Sequence, residues 1–123
     1  MNVEINVTKS FKRAARPLIK RYRSFLDDLA GLESELVANP RLGTSLGGNI
    51  FKIRLKIASK GKGKSSGARV ISLLQYCEKR ERGNEEITIV NLLTVYDKSE
   101  HGNITDSELR SLVAGLAEGS VDL

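Results

Sequence analysis

Polar and apolar residues alternate at the start of the chain, with Val3, Ile5 and Val7 on one side of a predicted strand over residues 2–7. The period then changes. Phe11, Ala15, Leu18 and Tyr22 recur at i, i+4, i+7 and i+11, which predicts a helix from an N-cap at Thr8 to about Tyr22. Pro17 lies inside that helix and is expected to kink it, because its ring clashes with the carbonyl of residue 13 and its nitrogen cannot donate. Ser24 reads as the cap of a second helix, with Asp27 and Asp28 in the first turn, where the dipole favours acids. Phe25, Leu29, Leu32 and Leu36 form its apolar stripe, and Asn39-Pro40 stops it.

A glycine-rich connection over 41–49 leads into the most informative alternation, a strand at about 50–58. Phe51, Ile53, Leu55 and Ile57 point one way; Lys52, Arg54 and Lys56 point the other, with about 7 Å between neighbours at the usual strand rise. Like charges in a row weaken a strand unless something offsets them, and a phosphate chain would. A lysine/glycine loop (59–67), a strand (68–77), a mixed-charge connection (78–86) and another strand (87–96) follow. The last of these is apolar on both faces (Ile89, Val90, Leu92, Leu93, Val95), which predicts a central strand covered on both sides. Thr105 and Glu108 form a capping box for a final helix with Leu109, Leu112, Val113 and Leu116 as its buried stripe. The pattern predicts one α+β domain over residues 1–123, in the order β-α-α-β-β-β-α.

Composition narrows the function classes. No stretch approaches the roughly 20 apolar residues of a membrane span, and residues 1–7 have neither a basic segment nor a long apolar one, so no signal peptide is expected. A lone cysteine, Cys77, suits a reducing compartment, and the cytoplasm is the expected location. Charge is distributed unevenly. Residues 1–82 carry 18 Lys+Arg against 7 Asp+Glu, residues 83–123 carry 2 against 8, and the two balances of +11 and −6 make the net +5. Seven basic residues and no acid lie between Lys52 and Arg69. Positive charge concentrated in this way points to a polyanionic partner.

The motifs refine that partner. Gly61-Lys62-Gly63-Lys64-Ser65 is not a nucleotide P-loop, because Ala58 stands where the first glycine is needed and the chain continues into a strand. Its lysines, with Lys60, are candidates to wrap phosphates without reading bases. Arg69, where the loop re-enters the sheet, is placed either to grip a phosphate or to pair with a neighbouring acid. His101 is the only histidine and reads as a loop residue; no metal-ligand spacing is present. The few aromatics do not make a stacking platform, and only Tyr96 falls beside a polar loop.

Phe51-Lys52-Ile53-Arg54-Leu55-Lys56, the Lys/Gly loop, Gly67-Ala68-Arg69-Val70-Ile71 and Leu93-Thr94-Val95-Tyr96-Asp97-Lys98-Ser99-Glu100 together resemble the RelE/ParE toxin superfamily, most closely its RelE/HigB-like branch of type II toxin–antitoxin systems. The resemblance implies a mainly antiparallel sheet packed by helices. It also implies a ribosome-dependent mRNA endoribonuclease that cuts in the A site without metal or cofactor, by attack of the ribose 2′-OH on the adjacent phosphate. By motif position Lys52, Arg54, Arg69 and Lys98 would be catalytic, while Lys56, Lys60, Lys62, Lys64 and Tyr96 would contact RNA. The implied partners are mRNA, ribosomal RNA and a cognate antitoxin with a helix-turn-helix domain, with no membrane. Well-known members carry a tyrosine in the loop after the last strand, where this chain has Ile104 or nearby polar residues; Tyr96 is close in sequence but not at that position. Mutual repulsion on the cationic face would suit Lys52 or Lys56 to act as general base. The alternatives are a module that grips RNA or antitoxin without cutting, and inhibition of DNA gyrase as in the ParE branch.

Overall fold

In the computed structural model, which describes residues 2–61, 66–79 and 85–121, three helices pack on a five-stranded, mostly antiparallel sheet. The elements are β1 (Asn2–Val7), α1 (Lys9–Arg21), α2 (Phe25–Ala38), β2 (Thr44–Gly47), β3 (Ile50–Leu55), β4 (Ala68–Lys79), β5 (Glu85–Asp97) and α3 (Asp106–Val121). Their order in the sheet is β1-β5-β4-β3-β2, with β1 parallel to β5 and the other neighbours antiparallel. Among the described residues, no helix is long and apolar enough to cross a membrane.

The helix starts follow from their capping residues. Thr8 Oγ1 accepts the Phe11 N–H at 3.2 Å, satisfying one of the first turn's spare donors. At α3, Thr105 Oγ1 accepts the Glu108 N–H at 3.1 Å while Glu108 Oε1 accepts the Thr105 N–H at 3.1 Å, the reciprocal bonding of the expected capping box. Ser24 does not cap α2 with its side chain; its hydroxyl donates to Asp28 and meets Ser59 instead. Helix α1 runs unbroken through Pro17, which lies on its exposed side.

Helices α1 and α2 cover one face of the sheet. Phe11, Ala15, Leu18, Phe25, Leu32 and Leu36 bury themselves against Phe51, Ile53, Leu55, Val70, Val90, Leu92 and Val95. β5, expected to be central from its two apolar faces, is an interior strand between β1 and β4, and the middle place goes to β4. Two features of the sheet escape the local pattern. β2 is a short edge strand formed within the glycine-rich connection; it follows Gly43, whose φ of +102° and close approach to the Lys52 carbonyl leave no room for a side chain. In β5 the pairing with β4 shifts between Ile71↔Thr94 and Ser72↔Leu92, so Leu93 is bulged. Its freed carbonyl accepts from Ser10 Oγ at 2.7 Å. Helix α3 crosses the opposite face. The stripe Leu109, Leu112, Val113 and Leu116 is only half-buried there, because the helix stands off the sheet and leaves clefts beneath it.

Candidate functional site

The register assembles the site. β3, β4 and β5 run side by side, and Arg54 lies directly opposite Arg69, which lies directly opposite Tyr96. One step along, Lys52 faces Ile71 and Ile71 faces Thr94. The intervening residues Ile53, Val70 and Val95 sit in the core, so this row projects from the other face of the sheet. Lys52 and Arg54 therefore share a face, as expected. Lys56 lies just beyond the end of β3 and is exposed. Lys98 sits in the turn after β5, where its N–H donates to the Gly67 carbonyl at 2.9 Å and so ties that turn to the strand entrance before Arg69. Gly67 itself must be glycine: an added Cβ would fall 2.2 Å from the Leu55 carbonyl oxygen.

Arg69 is only 6% exposed, and its Nη1 donates to the Ala68 carbonyl at 3.1 Å. Burial first, and then the Arg54 charge, lower its pKa from the ordinary arginine value. Directly opposed like charges destabilise a sheet pair. The fold thus sets two arginines opposite each other on neighbouring strands, and an anion bound between them would relieve the repulsion.

Tyr96 closes the row, and burial raises its pKa above the usual phenol value. Glu108 pushes the same way, while a backbone hydrogen bond from Ile104 and the Arg69 charge oppose it. Tyr96 is accordingly a neutral phenol at neutral pH and a proton donor. Its ring packs on His101 with centroids 4.8 Å apart. His101 Nε2 lies 3.2 Å from Glu108 Oε2, and Nδ1 lies 2.7 Å from the Gly102 carbonyl, so both ring nitrogens face acceptors. Glu108 has its pKa lowered by Thr105, through the Thr105 backbone and hydroxyl, with His101 adding to the effect. Arg13, Thr94, Tyr96, His101 and Glu108 line a cleft of about 590 Å³ between α1, β5 and α3. The sequence reading missed this His101–Glu108 pair. The seven-residue gap spans a loop and a helix start, so no local period marks it; the capping-box glutamate was the available signal.

Lys60, expected among the RNA-binding residues, lies against the turn after β5. It ends a 3-10 turn (Ala58–Lys60), and its Nζ donates to Asp97 Oδ1 at 3.0 Å, the Ser66 carbonyl at 2.9 Å and Ser99 Oγ at 3.3 Å. The cause is Asp97, whose side chain is 1% exposed and needs a cation and donors inside the fold. Tyr22 Oη donates to Asp97 Oδ2 at 2.6 Å and Ser99 supplies both its N–H and hydroxyl to Oδ1. Burial alone would raise the Asp97 pKa; the bonds from Tyr22, Ser99 and Lys60 outweigh it and hold the carboxyl well below the usual range. For Lys60, desolvation is likewise outweighed by Asp97, and its pKa is raised. Lys62 and Lys64 lie outside the described residues.

Among the described residues, no three of His, Cys, Asp and Glu cluster so as to hold a metal ion. Compared with models of known protein families, the chain matches none.

Proposed function

We propose that this chain is a RelE-like toxin, an endoribonuclease that cuts mRNA in the ribosomal A site and is neutralised by a cognate antitoxin with a helix-turn-helix domain. One observation carries the reading: Arg54 and Arg69 are directly opposed on a single sheet face, with Tyr96 as the next residue across. The resemblance of the surrounding segments to that family supports it. So does the cleft, because the Tyr96 hydroxyl meets the backbone of Ile104, the segment in which well-known members carry their tyrosine.

In this mechanism the scissile phosphate lies between Arg54 and Arg69. The ribose 2′-oxygen forms a bond to phosphorus as the bond to the 5′-oxygen breaks, giving a 2′,3′-cyclic phosphate and a 5′-OH. The 2′-OH proton passes to a base on the same face, for which Lys52, next along β3, is the candidate. The leaving 5′-oxygen takes a proton from the Tyr96 phenol. The two guanidinium groups stabilise the extra negative charge of the pentacoordinate phosphate, usually the largest catalytic contribution. Lys98 and Lys56 extend the positive surface along the RNA backbone, and their contribution weakens as salt rises.

The test is primer extension on a defined mRNA incubated with stalled ribosomes and purified protein, beside Arg69→Ala. Cuts at the A-site codon that vanish in the variant are expected. Intact mRNA in the presence of folded wild-type protein overturns the reading, and DNA damage in expressing cells would then indicate gyrase inhibition.

A further inference from the structure

Toward the other end of β4 and β5, the face that carries the arginine row holds a row of amides. Asn6 Nδ2 donates to Asn91 Oδ1 at 2.7 Å, and Asn91 Nδ2 donates to the Leu73 carbonyl at 3.1 Å and to Gln75 Oε1 at 2.8 Å. Asn91 is 1% exposed, and its fully engaged amide orients the two outer ones. Asn6 is left presenting an acceptor, Oδ1, and Gln75 a donor, Nε2; both residues are exposed. A cleft of about 580 Å³ lies over the row, walled by Leu73 and Ile89 of the sheet and by Val113 and Leu116 of α3.

The bulge at Leu93 connects this cleft to the arginine row. Without that extra residue, Asn91 and Tyr96 would project from opposite faces of β5; with it they share one. On β4, Gln75 follows Arg69 by six residues, an even number, which keeps both on that face about 20 Å apart at the usual rise.

We propose that this cleft holds one unpaired nucleobase, adenine by preference, of the RNA strand whose backbone lies on the arginine row. The inference rests on the RNA-cleaving reading above. A base is flat and apolar on its faces and polar at its rim. Leu73 and Ile89 meet one face and Val113 and Leu116 the other, while Gln75 Nε2 and Asn6 Oδ1 meet the rim. Asparagine and glutamine amides are the usual partners of the adenine edge. Uracil offers no exocyclic amine to Asn6.

Adenosine, which has no phosphate to bind the arginines, is the probe. It is titrated into isotope-labelled full-length protein while the side-chain amide NMR signals of Asn6, Gln75 and Asn91 are followed. Adenosine is expected to shift these signals and uridine to bind about fivefold more weakly, the worth of one hydrogen bond. Gln75→Ala, at an exposed position, should weaken adenosine binding by a similar factor, and Leu116→Trp, which fills the cleft from the helix side, should abolish the shifts. Signals that do not move, that move equally with uridine, or that move in both variants as in wild type overturn the proposal. The two readings fail separately: intact mRNA with adenosine still bound rejects only the nuclease, and A-site cleavage without adenosine binding rejects only the base cleft.

Discussion

Tyr96 and Asp97 are neighbours on β5 that project from opposite faces of the sheet, and charge is handled differently on the two sides. On the Asp97 side opposite charges meet: Lys60 and Asp97 form a buried pair 3.0 Å apart, Tyr22 and Ser99 saturate the carboxylate, and Arg21 pairs with Glu100 at the rim. On the Tyr96 side like charges meet, Arg54 opposite Arg69. The first arrangement joins the end of α1, the root of the basic loop and the turn after β5. The second sets two cations against each other across neighbouring strands, which an anion between them would relieve. Sequence proximity therefore says little about role: two consecutive residues belong to an anchor and to the proposed binding row.

The largest expected effects come from cutting each side once. Arg69→Ala should lower A-site cleavage by about 10²–10³-fold, the usual loss for one preorganised transition-state contact, as measured by single-turnover cleavage on ribosomes. Asp97→Ala should act on the fold instead. It leaves the Lys60 ammonium, 14% exposed, without its carboxylate. Breaking such a buried pair costs about 3 kcal/mol, to be read from urea denaturation. An Asp97→Ala protein as stable as wild type would remove the anchor from this comparison, and an active Arg69→Ala protein would remove the binding row.

Acid sharpens the difference. Asp97 is held below its ordinary range in the fold, whereas the unfolded chain protonates it near the reference value of about 3.9. Its contribution is therefore complete above about pH 4 and is lost as pH falls from there toward the folded value. Lys60 is shifted upward, so its share is complete below about pH 10.4 and is lost as pH rises through the folded value. Urea midpoints should drop between about pH 5 and about pH 3 in wild type, and Asp97→Asn should flatten that drop. An unchanged slope in the variant would assign acid sensitivity to other carboxylates.

Local pattern revealed one side of the sheet better than the other. The alternation at 50–55 placed Lys52 and Arg54 on one face because a half-buried strand forces period two. The caps at Thr8 and Thr105 were legible because their bonding spans three residues. The Asp97 anchor was not, since Lys60 and Tyr22 reach it from 37 and 75 positions away and no sequence period marks such partners. Nor was the Leu93 bulge, because an apolar run reads the same with or without an extra residue; yet the bulge decides which side chains share a face with Tyr96. Family likeness proposed Arg69 and Tyr96 separately, and the register made them cross-strand neighbours.

The smallest effect tests the idea most directly. If the Arg54–Arg69 opposition is tolerated only for an anion, relieving it should stabilise the free protein while harming its activity. Arg54→Thr removes a like charge worth about 0.5 kcal/mol of repulsion and introduces a residue that suits a strand. The melting temperature should rise by about 2 °C at low salt. Arg54 is exposed, so added chloride should screen the repulsion and shrink the gap between variant and wild type. Inorganic phosphate should shrink it further at equal ionic strength, by binding wild type alone. A variant that melts below wild type at low salt, with no response to phosphate, would mean that Arg54 supports the sheet, and the two faces of β5 would then differ in degree rather than in kind.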